Sequence, residues 1–99
     1  MDSLSTMVDA LVQAIKPESI LLYGLKKDAS GAPQAAKFCI VVETEDKEAL
    51  LQELYLSLDA EFSFDMMLYT PAEWAELTAD PQSYAFRIME KGTWLHGGA

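Results

Sequence analysis

Cysteine is nearly absent from this chain: Cys39 is the only one in 99 residues. An internal disulfide is excluded, and a reducing compartment, the cytoplasm, is the expected setting. Histidine is as scarce. His96 stands alone near a glycine tail with no ligand-spaced companion, so no metal role is expected of it. Basic residues are few as well. Seven Lys and Arg against 16 Asp and Glu leave a formal net charge of −9, a surface that repels a phosphate backbone and disfavours nucleic-acid partners. No apolar run approaches the roughly 18 residues needed to span a bilayer. The first residues lack the basic-then-apolar order of a signal peptide, so a soluble cytoplasmic protein without a membrane association is expected. Also missing are a glycine-rich phosphate loop ending in Lys-Ser/Thr and a serine-hydrolase elbow. Repeats, linkers and low-complexity tracts are absent too.

What is present describes one globular domain over residues 1–99. Hydrophobic content is 51% and charged content 23%, and a chain this long buries roughly 60–70% of its unfolded surface. Leu4, Met7, Val8, Leu11, Ala14 and Ile15 recur at helical spacing, with Asp2 or Ser3 as cap and Pro17 as the stop. Ile20 to Tyr23 and Phe38 to Val42 are short runs without polar residues, as strands covered on both faces read. Thr44 is placed to cap a helix whose first turn carries Glu45, Asp46 and Glu48, and whose buried stripe is Leu50, Leu51, Leu54 and Leu58. A third strand spans about Phe62 to Tyr69. "TPAEW" then supplies Thr70 as cap, Pro71 in the first turn and Glu73 to close a capping box. Asp80-Pro81 repeats the start signal for a last helix with Tyr84, Ala85, Ile88 and Met89 facing inward and Gly92 as its stop. Thr93 to His96 would add a short C-terminal strand, and Gly97-Gly98-Ala99 would fray. The expectation is a small α/β (α+β) domain: a mixed sheet of three main strands packed with helices.

The segment "SILLYGLKKDASGAPQAAKFCIVVE", Ser19 to Glu43, sets the functional question. An apolar run stops at Gly24, a small-residue loop follows, and a second apolar run begins at Phe38. Lys16, Lys26, Lys27 and Lys37 gather here with only Glu18 and Asp28 as acids. Such a spot can hold a small anion or an acidic partner; the plainer reading is a solvated loop. Cys39, inside an apolar strand with no histidine base nearby, reads as a small buried side chain rather than a nucleophile. Trp74, Trp94, Tyr84 and Phe86 read as core, with an exposed aromatic patch as the alternative.

These residues resemble a minimal nucleotidyltransferase domain, the small branch of the polymerase-beta-like nucleotidyltransferase fold. In that family a strand ends in Gly-Ser, a loop of roughly ten residues follows, and an Asp-x-Asp pair opens the next strand. A third Asp lies on the third strand before a helix that starts with a Thr-Pro-Glu-like sequence. Here "LLYGL" offers Gly24, "AKFCIVV" occupies the Asp-x-Asp strand, "FSFDMMLYTPAEW" places Asp65 on the third, and "RIMEKGTWLHG" is similar to the family's ending. The resemblance covers nearly the whole chain as a pattern of elements.

The departures from that pattern bear on activity. The family's serine is Leu25 here, without a hydroxyl for a phosphate, and the paired carboxylates fall on Lys37 and Cys39. Residues two apart on a strand share a face, which is why Asp-x-Asp can hold Mg²⁺. An ammonium repels that ion and a thiol is too soft for it. Asp65 alone does not make a metal site, Glu43 lies ~13 Å along the strand, and Asp28 would have to swing in from the loop. A Lys37–Asp65 ion pair in place of the metal is one expectation; a solvent-facing Lys37 is the other. No catalytic residues, metal or cofactor are therefore expected, with Gly24, Leu25, Lys37, Cys39 and Asp65 as degenerate positions. The resemblance implies a domain that has lost nucleotidyl transfer and acts through a helical HEPN-type partner, as in toxin–antitoxin modules, or through self-association. Two alternatives stand beside it. One is a non-catalytic nucleotide or phosphate module using Gly24, Lys26, Lys27 and Lys37. The other is a divergent active transferase that needs Mg²⁺ and a nucleoside triphosphate.

Overall fold

A computed structural model describes residues 3–97. Its elements are α1 (Ser3–Ile15), β1 (Ser19–Lys27), β2 (Pro33–Val41), α2 (Lys47–Ser57), β3 (Ser63–Tyr69), α3 (Pro71–Thr78), α4 (Tyr84–Lys91) and β4 (Thr93–His96). They form an α+β domain around a four-stranded mixed sheet in the order β3-β2-β1-β4. β1 runs antiparallel to β2 and to β4, while β2 and β3 are parallel. A parallel pair needs a crossover, and α2 is that connection. The fourth strand is the expected C-terminal one. Among the described residues, no helix is long and apolar enough to cross a membrane.

The two apolar runs are central because both faces of the sheet are covered. Ile20, Leu21 and Phe38 to Val41 have no exposed surface, which is why the sequence shows runs there rather than alternation. On one face Ile20, Phe38 and Ile40 meet Met7 and Leu11 of α1 and Leu54 of α2. On the other, Leu21 and Cys39 pack with Ile88 of α4, and Trp74 and Trp94 close the edges. Those tryptophans take the core role. Phe86 is half-buried, and Tyr84, expected inward, is half exposed at the start of α4.

Several element ends differ from the expectation. β1 and β2 run on as a hairpin to Lys27 and from Pro33, so the long loop shrinks to a tight tip. Asp28 builds that tip: its carboxylate accepts from the Ser30 hydroxyl (2.6 Å) and the Ser30 and Ala32 amides (2.9 and 3.1 Å). Asp46, not Thr44, caps α2 by accepting from the Ala49 amide, while the Thr44 hydroxyl receives the Asp46 amide at 3.3 Å. Ser83, not Asp80, caps α4, because Asp80 is engaged two residues earlier with the Gln82 amide. The Thr70–Glu73 capping box and the Gly92 stop are as expected. Pro17 does end α1, with Lys16 leaving it in the left-handed region at φ 47°. Gly97 does not fray: it sits at φ 72° so close to Glu18 and Ser19 that a Cβ would clash. The proposed cap at Asp2 and the tail at Gly98-Ala99 lie outside the described residues.

Candidate functional site

Three strands bring the sequence-selected positions into one row. Gly24 on β1 is paired with Lys37 on β2, and Lys37 with Asp65 on β3. The antiparallel hairpin makes the first pairing and the parallel register makes the second. A bulge at Tyr23, between Leu22 and Gly24, shifts the register so that Gly24 comes opposite Lys37, while the Tyr23 ring, two residues from Leu21, packs on the same face as Leu21. The row borders a cleft of about 370 Å³ lined by Tyr23, Lys26, Lys37, Ser63, Asp65 and Tyr84 among others. Leu25 also lines it, 39% exposed, whereas Lys27 does not. Lys16, at the far end of β1 from the tip, does not line it either.

The Lys37 and Asp65 charges do not pair. Among the described residues the ion pair within 4.0 Å joins Lys47 to Glu73, so the expected Lys37–Asp65 bridge is a correction. Its cause lies in Gly24. A Cβ built there would stand 3.1 Å from Lys37 Cδ and 3.3 Å from its Cβ and Cγ. Opposed Cβ atoms normally keep ~4.5–5.5 Å, so the lysine stem occupies the room glycine leaves. The stem therefore leans towards β1, away from Asp65 on β3.

The second Asp-x-Asp position is sealed. Cys39 has no exposed surface and packs against Leu21 and Ile88, and burial pushes its thiol up to about 12. It is a neutral packing residue, neither nucleophile nor cleft wall. Burial, then the neighbouring Tyr84, Cys39 and Asp65, pushes Tyr23 up to about 12, which keeps its hydroxyl protonated at neutral pH. Tyr84 meets Tyr23 edge-on, ring centroids 6.1 Å apart.

Neither rescue residue helps Asp65. Asp28 is committed to the hairpin tip, where the Ser30 hydroxyl first and the Ala32 amide next hold its carboxyl below the usual range. Glu43 follows the opposite end of β2 and is exposed. No three His, Cys, Asp or Glu side chains converge among the described residues. Magnesium demands several oxygen ligands, and an ammonium and a buried thiol at Lys37 and Cys39 do not fit it. His96 lies in β4, beside Ile20, remote from the row.

Tyr23, Ser63 and Tyr84 are cleft residues that sequence reasoning missed. The signal for Tyr23 was its spacing two residues after Leu21 on one strand, which puts both side chains on one face. Compared with known proteins, the chain matches no family model, no curated protein and no solved structure.

Proposed function

We propose that this is a nucleotidyltransferase-like domain without metal-dependent transfer, which acts through protein contacts with a helical HEPN-type partner or a second copy. One observation carries the reading: Gly24, Lys37 and Asp65 fall in a single cross-strand row beside a cleft. That is the juxtaposition the resemblance requires, assembled from three separate segments. The same row supports the loss of chemistry, since its middle position presents an ammonium where the ion would need oxygen. The test is incubation of the purified chain with labelled nucleoside triphosphates and Mg²⁺ or Mn²⁺. No transfer above the Asp65→Ala variant is expected. Label incorporation that disappears in Asp65→Ala would overturn the reading and restore the divergent-transferase alternative, to which Asp28 and Glu43 lend no support.

A second reading is favoured by Lys26 and Lys37 both lining the cleft. On it, the domain holds a nucleotide or phosphate without turning it over. A rise in melting temperature with ATP in the absence of Mg²⁺, abolished by Lys26→Ala or Lys37→Ala, would assign the cleft to that role. Gly24 contributes room rather than a contact, and Lys27 is outside the lining.

A further inference from the structure

A second cavity lies away from the row. A groove of about 440 Å³ runs between α1 and the α2–β3 connection. Its floor is Met7 and Phe62, both buried in the core under α1 and α2. Ala10 and Leu58 form its sides, and Asp59 and Glu61 stand on its rim. Lys37 and Asp65 alternate with Phe38 and Met66, so they belong to the opposite face of the sheet.

Beside the groove stands Leu56, 89% exposed. Helix α2 spends Leu54 on the core yet presents Leu56 outward one residue before the groove-lining Ser57 and Leu58. A surface helix normally keeps its outer side polar. The charged side chains at this surface are carboxylates. Asp59 and Glu61 line the groove, and Glu53 lies one helical turn before Leu56 and Ser57 on α2.

We propose that the groove and Leu56 together dock an amphipathic helix of a partner protein, with apolar anchors flanked by lysine or arginine. The volume suits a few anchoring side chains, and helix-in-groove binding uses such a floor and rim. The acidic rim steers and orients a basic partner. A second copy is disfavoured, because a two-fold contact through this patch sets acidic rim against acidic rim. This surface gives the protein-contact reading, on which it rests, a place and a class of partner. It lies on the other face of the sheet from the cleft, so transfer activity could sink that reading while the groove result stood.

The test uses a fluorescent Leu/Lys peptide of about 18 residues, five helical turns, patterned so that its leucines share one face. A scrambled peptide of equal composition is the comparison. Anisotropy is read at about 0.15 M salt, where long-range attraction is screened. The patterned peptide should bind at least roughly tenfold tighter. Leu56→Asp and Ala10→Lys should each weaken it by a similar factor, and Leu77→Asp on α3 should leave it unchanged. Leu56→Asp adds negative charge, so a loss there reports apolar contact rather than attraction. Equal binding of both peptides, or indifference to Leu56→Asp and Ala10→Lys, would overturn the proposal. So would a dimer in sedimentation that Leu56→Asp dissolves, which would give the surface to a second copy.

Discussion

Replacing Cys39 by Asp tests whether the second position of the degenerate pair can reach the cleft. Cys39 has no exposed surface and lies against Leu21 and Ile88, so the introduced carboxyl would be buried without a partner. Such a group neutralises rather than remaining charged, and burial raises its pKa by roughly 3–5 units. Holding it protonated at pH 7 then costs about 4 kcal/mol, from 1.36 kcal/mol per unit over the ordinary value near 3.9. Burying the neutral polar group adds roughly 1–3 kcal/mol. The sum, about 5–7 kcal/mol, approaches the whole stability of an ordinary domain.

The pH dependence carries the sign. The folded state binds the extra proton between the unfolded and the raised folded pKa, so stability falls as pH rises through that window. At pH 5 the protonation cost drops to about 1.5 kcal/mol. Cys39→Ser removes the same sulfur with no titrating group, so the difference between the two variants isolates the charge. Urea unfolding of both at pH 5 and pH 7 is the assay. Cys39→Asp should lose about 2–3 kcal/mol more than Cys39→Ser between those values, or fold only at the lower pH. A flat difference, or stabilisation of Cys39→Asp by Mg²⁺, would show that position 39 opens to the cleft and would refute the sealed geometry.

Three further perturbations follow from local contacts. Tyr55→Phe removes the hydroxyl that accepts the Met66 amide at 2.9 Å on the outer edge of β3, so stability should fall by about 1 kcal/mol and the Met66 amide should exchange faster. Lys16→Gly relieves the left-handed exit of α1 and should raise stability by roughly 0.5–1 kcal/mol in urea unfolding. The Thr70 amide first, and Lys47 next, hold the Glu73 carboxyl below its ordinary value. Its contribution is therefore complete above the unfolded pKa and lost as pH falls through the lowered folded one. The difference in stability between the native chain and Glu73→Gln should shrink below about pH 4.

The fold was legible where side chains alone decide the geometry. Leu21 and Cys39 face one helical layer while Ile20 and Phe38 face the other, and two covered faces leave an unbroken apolar run in the sequence. The Thr70–Glu73 box is equally local, with its reciprocal bonds three residues apart. The hairpin was not legible, because Lys26, Lys27 and Gln34 are polar strand residues on an arm that lies beyond the helical layers. Nothing in their polarity separates an exposed strand from a loop. The α2 start failed for a related reason. Thr44 and Asp46 are both good caps, and the helix starts two residues later than Thr44 would start it, at Lys47, which reaches Glu73.

At the site, sequence spacing correctly placed Lys37 and Cys39 on one face, since Cys39 packs on the α4 side and Lys37 is two residues away. Spacing along one strand cannot say how far a covering helix extends. α4 begins at Tyr84 over Tyr23 and ends by Gly92 near Leu22, so it roofs Cys39 and stops short of Lys37. That boundary leaves one position of the pair in the cleft and buries the other. The lean of Lys37 was likewise invisible in one dimension. It depends on the bulge at Tyr23, which brings Gly24 rather than a residue with a side chain opposite the lysine. A side chain at position 24 would push the stem back towards Asp65. Gly24→Ala should therefore shorten the Lys37–Asp65 separation, detectable as a coupling energy between Lys37→Met and Asp65→Asn in a double-mutant cycle on the Gly24→Ala background that the native chain lacks. Equal coupling in both backgrounds would mean that the glycine does not steer the lysine.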